Sequence, residues 1–506
     1  MRKRYISTRN KQGQTLEDVW VDKYAVSREG LLKVHEGPFS ALVSKDDDYV
    51  YAIDSDGKTI AEGEAEVDDA SVIQSAVNIG GRVFIGKGEY RIANKIAPPS
   101  NTKIEIIGER GAVLKAVKNV NMLKLDVPED YYIDIIDLTF DQDNLADRAI
   151  GSVSGAYWHG KIIRCEFLRA PIGQMNVQLF FKDGVVRDCY FQKDDPDGVD
   201  GLGFGADNLK IIDNTFINCA PMTGGAKRVE IADNIIYHDD WGYPGINLEQ
   251  AYNKDIVEIN VHDNILYNAF IAVGSAGTSS TGLTKDINIH NNIGYRSGID
   301  INADPNEFEN IKVEGNILRD SRVAAIFARK VKDLIVCHNQ IENSNMKNDT
   351  YYYNKGCIRL EYVYGKHIIK NNLIKRTASL TYDTPYGVSF NAGDGLVVVE
   401  GNTLENMRLE AINIGGSPPD YRIKGNVGYA TENSGTATFS GDGSTTQFSI
   451  EHGLVSTPSK VQVTAMSSDA AGDFYVTADA TYIYVNYKTA PPSGSNNIKL
   501  SWEAEV

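Results

Sequence analysis

The sequence predicts an all-β chain built around a parallel β-solenoid. Three features point there: a repeat of β-branched runs through the middle, a helix-like segment just before it, and a change to alternating strands with turn signals after it. The repeat decides the fold. It reads IIDNTF, IADNII, INVHDNIL, INIHNNIG, IKVEGNIL, LIVCHNQI, IIKNNLI, VVVEGNTL and YRIKGNVG, with Asn at 214, 234, 264, 292, 316, 339, 372, 402 and 426. Upstream the same frame places Leu138, Cys165 and Cys189, and the mean period is about 26 residues. Units of that length, made of short strands without helix, stack as solenoid turns. Turns spaced by ~4.8 Å bring equivalent residues into columns. The Asn column is expected to supply the left-handed residue of a sharp bend and to hydrogen-bond from turn to turn. Cys165 and Cys189 share that column, so they read as small buried residues rather than nucleophiles.

The flanks have their own character. Residues 1–65 form an N-terminal head containing YVYAIDSDGKTIAEGE, a hairpin turning at SDG. DDASVIQSAV then reads as a short amphipathic helix before GGRVFIGKGEYRI, placed to cap the open end of a solenoid spanning 66–432. Residues 433–506 hold alternating strands separated by DG, PS and PPSG turns, the pattern of a small β-sandwich.

Composition narrows the function. The 506 residues include 51 Lys or Arg and 68 Asp or Glu, a net charge of −17. That excludes an ordinary nucleic-acid binder, which needs a basic face. No run approaches the ~20 apolar residues of a spanning helix, so no membrane insertion is expected. The basic start (Arg2, Lys3, Arg4, Arg9, Lys11) is followed by polar sequence, so no signal peptide is expected. Five scattered cysteines form neither a disulfide framework nor a metal-binding set.

Asp68, Asp69, Ile73, Gln74 and Ala76, together with GRVFIGKGEY (Gly81 to Tyr90) and the Asn-ended repeats, resemble the pectate-lyase-like right-handed parallel β-helix proteins. With the head, the capping helix and a C-terminal module opening FSGDGSTTQFSIEHGL, the chain over residues 65–506 resembles bacteriophage tailspikes that degrade host surface polysaccharide. The resemblance implies a homotrimer on the virion tail, attached through the head to the tail or baseplate and acting outside the cell on a host polysaccharide. The C-terminal module would serve trimerisation or carbohydrate binding. Because the fold hosts several chemistries, activity has to be argued from a site.

A solenoid offers a long side wall for that site. In GINLE, GIDINAD, GCIRLE, GVSFN and AINIG, alternation points Ile246, Leu248, Ile299, Ile301, Ile358, Leu360, Val388, Phe390, Ile412 and Ile414 inward. Asn247, Glu249, Asp300, Asn302, Arg359, Glu361, Ser389, Asn391 and Asn413 then point outward, a polar stripe suited to sugar hydroxyls. Trp241, Tyr243, Tyr252, Tyr295 and Tyr362 are candidate stacking faces. Glycoside hydrolysis needs two carboxyl groups, and separations of about 6.5–9.5 Å suit inversion. Glu249 with Asp300 is the preferred pair and Glu361 the third candidate. Arg359, Asn247, Asn302, Asn391, Asp200 and Trp241 are expected to hold substrate.

DDPDGVDG (Asp194, Asp195, Asp197, Asp200) is similar at its core to the N-T-D-G-x-D element of polygalacturonase-like hydrolases, but the family's later elements do not follow. The cluster reads as an acidic loop, with Ca²⁺ as an alternative occupant in an otherwise cofactor-free protein. A cation would favour the alternative lyase mechanism, with Arg359 or Lys227 as base. His262 and His290 are expected to stack on adjacent turns rather than bind metal. Asp54 to Gly57 reads as a turn, and SGDGST as a strand connection rather than a phosphate cradle. An acidic wall should repel polyuronates, so hydrolysis of a neutral or amino-sugar polymer ranks above β-elimination. A non-enzymatic receptor-binding fibre is the third reading.

Overall fold

Each repeat folds as three short strands joined by two tight corners. The computed structural model describes residues 39–194, 201–240, 242–250, 254–275, 282–304, 306–348 and 356–506. It is a β-solenoid of about 12 turns followed by a C-terminal sheet region. The chain divides into two units, 1–239 and 240–506.

In the first unit, Tyr49–Asp54 pairs antiparallel with Ala41–Lys45 and with Thr59–Glu64. Ala41–Lys45 also pairs in parallel with Gly81–Ile85, which joins it to the solenoid. The helix Asp69–Ile79 buries Val72, Ile73, Ala76 and Val77. Its motif residues are anchors. Asp69 is buried, ion-paired with Lys45 at 3.0 Å, and accepts the Arg91 N–H at 2.6 Å. Gln74 exchanges hydrogen bonds with both backbone groups of Ala97, at 2.6 and 2.9 Å. In the following turns Phe140, Phe167, Phe191 and Phe216 stack inside, with centroids 4.7–5.3 Å apart.

The second unit shows a full turn in residues 256–275. Ile256–His262 (sheet A) turns a corner into Ile265–Tyr267 (sheet B), and a second corner leads into Ala269–Ser275 (sheet C). From Asn264 through 292, 316, 339, 372 and 402 to 426, every Nδ2 donates to the next Oδ1 at 2.9–3.0 Å. The same oxygens accept backbone N–H groups, for example Asn292 N to Asn316 Oδ1 at 3.0 Å. One expectation needs correction. The left-handed residue is the one before the column Asn: Asp263 (φ 56°), Asn291 (57°), Gly315 (66°), His338 (57°), Asn371 (54°) and Gly401 (65°). A left-handed residue turns the chain, and the Asn behind it is buried to bond the turned backbone. The second corner follows the same rule with Asn268, Arg296, Asp320 and Asn343.

Cys165 and Cys189 are free and buried, as expected. Burial holds the Cys165 thiol well above its ordinary range, so it is not a ready nucleophile. His262 and His290 stack at 4.8 Å. Burial and the adjacent His262 lower the pKa of His290.

Residues 432–505 form two three-stranded antiparallel sheets. Glu432–Gly441 and Lys460–Ala465 flank Gly494–Glu505, while Gln447–Glu451 and Phe474–Ala478 flank Tyr482–Tyr487. Phe448, Ile483, Val485, Ile498, Leu500 and Trp502 fill the space between. Asp442 accepts the Ser444 and Thr445 N–H groups, which makes SGDGST a strand connection. Asp54 does the same for Asp56 and Lys58.

Candidate functional site

Sheet C sets the geometry of the wall. Ile246, Leu248, Ile299, Ile301, Ile358, Leu360, Val388, Phe390 and Ile412 are buried, so the neighbours of these residues face outward. Strand register arranges those neighbours in two columns. The first runs Asn247, Ala272, Asp300, Phe327, Arg359, Ser389, Asn413, and the second Glu249, Gly274, Asn302, Arg329, Glu361, Asn391. Asp300 lies two turns from both Glu249 and Glu361, but always in the neighbouring column. The diagonal of two turns and two residues puts the Cα atoms about 12 Å apart.

Asp300 is the chemically unusual member. Its Oδ1 is buried without a hydrogen-bond partner among the described residues. Burial alone raises its pKa to about 6, because desolvation disfavours the charged form. Glu361 is the opposite case. It is ion-paired with Arg359 and lies 4.0 Å from Arg329 Nε. Arg359 sits over the Phe327 ring at 5.3 Å, and Arg329 over Tyr362 at 5.3 Å.

Asp300, Phe327, Arg329, Arg359 and Glu361 line a cavity of about 520 Å³. It brings together Asp300, Glu361, Asn302 and Arg359 from the predicted set, but not Glu249, Asn247 or Asn391. Glu249 faces Asp300 across a low stretch of wall, Ala272 and Gly274, and a Cβ on Gly274 would meet nothing within 4 Å. Asp200, Trp241 and Tyr252 lie outside the described residues, as do Asp195 and Asp197. Asp194 accepts a hydrogen bond from Asn144 at 3.0 Å. Tyr295 stacks on Tyr267 at 5.1 Å, on sheet B.

The cavity also holds residues that the sequence reading missed: Phe270, Arg296, Arg322 and Lys347. Phe270 lies at the start of the sheet C strand Ala269–Ser275, while Arg296, Arg322 and Lys347 follow the short sheet B strands or sit in connections, outside the sheet C frame. The signal was available at Arg296, which occupies the second left-handed corner. With Arg329 and Arg359, five cationic side chains line the cavity against two carboxyl groups. The premise of a uniformly acidic wall does not hold here: cations outnumber carboxyl groups in the lining, with Arg359 paired to Glu361 and Arg329 to Asp304 at 3.2 Å just outside it. Among the described residues, Glu314, Cys337 and His338 bring three potential metal-ligand atoms within 4.8 Å of one another. None of them lines the cavity.

No protein-family model matches the chain, and no curated protein sequence matches it. Solved structures do. The tailspike gp61 of Pseudomonas phage phi297 aligns over 86% of this chain and 92% of its own, with TM-score 0.55 and 9% identity. The tailspike gp49 of Pseudomonas phage LKA1 covers 86% and 92%, with TM-score 0.49 and 11% identity. The A-module of the mannuronan C-5 epimerase AlgE4 of Azotobacter vinelandii covers 71% and 97%, with TM-score 0.45 and 16% identity. At such identities the likeness is one of fold, and the chain shares the β-helix fold of the phi297 tailspike.

Proposed function

We propose that this chain is a phage tailspike that binds a host cell-surface polysaccharide and cleaves it by glycosidic hydrolysis. The observation that supports the reading most is Asp300, a carboxyl group that stays protonated up to about pH 6 in the wall of a cavity shared with a second carboxylate. A general acid must hold its proton near the working pH and sit beside the leaving oxygen. Asp300 takes that role. Glu361, set diagonally two turns away, is its partner in activating water, and the wide backbone spacing favours inversion. Arg359 and Arg329 orient Glu361 and meet charge developing in the transition state. The likeness to tailspikes and the outward Asn and aromatic side chains agree with a glycan ligand. Attachment through the head, residues 1–65, and a trimeric state belong to the same proposal.

The test is product analysis after incubating the chain with a panel of purified capsular and O-antigen polysaccharides. Shortened chains with new reducing ends and no new ultraviolet absorbance are expected. Glu361→Gln should abolish release and Glu249→Gln should retain it; the reverse pattern would restore the Glu249–Asp300 pair. One observation favours a second reading: a cation-rich cavity also suits β-elimination next to a uronate, with Arg359 as base. Products absorbing in the ultraviolet, from a newly formed C=C bond, would establish that mechanism instead. Binding without any change of polymer size would leave a receptor-binding fibre.

A further inference from the structure

The molecule as a whole is strongly acidic, with a net charge of −17, yet the cavity on its sheet C wall is lined by more cations than anions. We infer that the cavity takes an acidic glycan, with Arg322 and Lys347 meeting a carboxylate of its repeating unit. This rests on the reading of the cavity as a glycan site.

Three features support it. First, of the two carboxyl groups in the lining, Asp300 holds its proton to about pH 6 and Glu361 is engaged by Arg359. Near pH 6 the lining therefore holds more cationic than anionic groups. Second, the wall contains two buried polar atoms without a hydrogen-bond partner among the described residues, the acceptor Asp300 Oδ1 and the donor Arg329 Nε. Orphaned groups of this kind are rare in folded proteins and mark places completed by something else. Third, the seat of Arg322 is shaped for it. Gly242 has φ +124°, and a Cβ there would lie 1.6 Å from Arg322 Nη1. Only a residue without a side chain leaves the guanidinium where it is.

A guanidinium presents a planar fork that matches a carboxylate, and such charge-assisted bonds are about twice as strong as neutral ones. Distance makes the local charge decisive. At physiological ionic strength, exposed charges more than about 8 Å away are largely screened. Most of the chain's acidic surface is therefore muted for a ligand in the cavity, while the lining cations are not.

The experiment is calorimetric binding of the full chain to purified capsular and O-antigen polysaccharides of known composition, half neutral and half carrying uronate, sialate or pyruvate carboxylates. Whichever polymer binds is then carboxyl-reduced and tested again. The expected result is an acidic binder, at least about tenfold weaker after reduction and about tenfold weaker with Arg322→Gln. Lys347→Gln, at an exposed position, guards against loss of the fold and should weaken the acidic polymer several-fold but not the reduced one. A neutral binder, or equal affinity before and after reduction, overturns the acidic assignment and leaves the glycan reading standing. A binder whose charge is phosphate gives that second result, because carboxyl reduction does not touch it. If no polymer binds, the glycan reading itself falls, and this inference with it.

Discussion

Two columns of the same solenoid, the Asn corner and the sheet C wall, obey opposite rules. Along the corner, Asn264, Asn292, Asn316, Asn339, Asn372, Asn402 and Asn426 repeat without exception, each buried and bonded to the next. Along the wall, Asn247, Ala272, Asp300, Phe327, Arg359, Ser389 and Asn413 share position but not chemistry. Repetition is what a backbone-satisfying role demands, since every turn has the same corner to close. A site needs differences, because acid, base and cation must each occupy one place. In a solenoid, conformity therefore marks stability and departure marks function.

The largest effect that sharpens this contrast is at Asp300. Asp300→Asn should lower cleavage about 10²- to 10⁴-fold, the usual contribution of a general acid, while leaving the fold intact. Stability should even rise at neutral pH. The raised pKa means that the folded state binds a proton which the unfolded chain has released, so the native form is favoured at low pH. That advantage is present below the unfolded value near 4 and is lost as pH rises through about 6. At pH 8 the mutant should be more stable by up to about 3 kcal/mol, the equivalent of two pKa units. Thermal melts at pH 4 and pH 8 check the sign. A mutant that melts lower at both would show that the carboxyl is held by a partner rather than simply desolvated.

Asn316 should show the reverse. Its Oδ1 accepts both the N–H and the Nδ2 of Asn292, and its Nδ2 donates to Ile289 O, Glu314 O and Asn339 Oδ1. Asn316→Ala leaves several of these buried groups unpaired, at about 1–3 kcal/mol each, so a loss of roughly 2–4 kcal/mol is expected in denaturant titrations. The specific activity of the folded fraction should stay within about twofold of wild type. A selective loss of activity would mean that corner and wall are coupled.

The pH profile gives a third, smaller contrast. Cleavage should fall as pH rises through about 6, when Asp300 loses its proton. The pKa of His290 is lowered by burial and by His262, but the stacked pair lies on sheet A away from the cavity, so His290→Asn should leave that limb in place. A limb that moves with His290→Asn would transfer the acid role away from Asp300.

What the sequence made legible follows the same division. The solenoid, the stacking of His262 on His290 and the inward face of sheet C could all be read because they repeat or alternate. Asp300 could be named as an outward carboxylate, but the cavity it lines is completed by Arg296, Arg322 and Lys347, which lie outside the sheet C strands. Alignment of one sheet cannot show what another segment brings across it. The same limit hides Arg296, Arg322 and Lys347, and a chain-average charge cannot reveal the cations they add to the cavity. The left-handed residue stands one position before the Asn, which the sequence does not show for a different reason. Asn is a common left-handed residue, and only the hydrogen bonds show that here it closes the corner rather than turning it.

The start of the column tests whether the ladder is additive. At Cys189 the thiol points to Ile162 O at 3.4 Å and to Arg187 O at 3.3 Å. These are the carbonyl of the preceding turn and that of the residue two earlier, the same pair of positions that Asn234 Nδ2 reaches at Ile211 O and Ala232 O. The sulfur thus stands where the ladder amide would stand, but it is a weak donor. Asn214 Oδ1 already accepts the Cys189 N–H at 2.9 Å and has room in its chemistry for a second donor, as Asn234 Oδ1 does for both donors of Asn214. Asp188, with φ 55°, already turns the corner. Cys189→Asn should therefore extend the ladder by one rung and stabilise the protein by about 1 kcal/mol, the net value of one buried hydrogen bond. A destabilised variant would show that the upstream corner has packed around sulfur too tightly to admit an amide, and that the two ends of the column are not interchangeable.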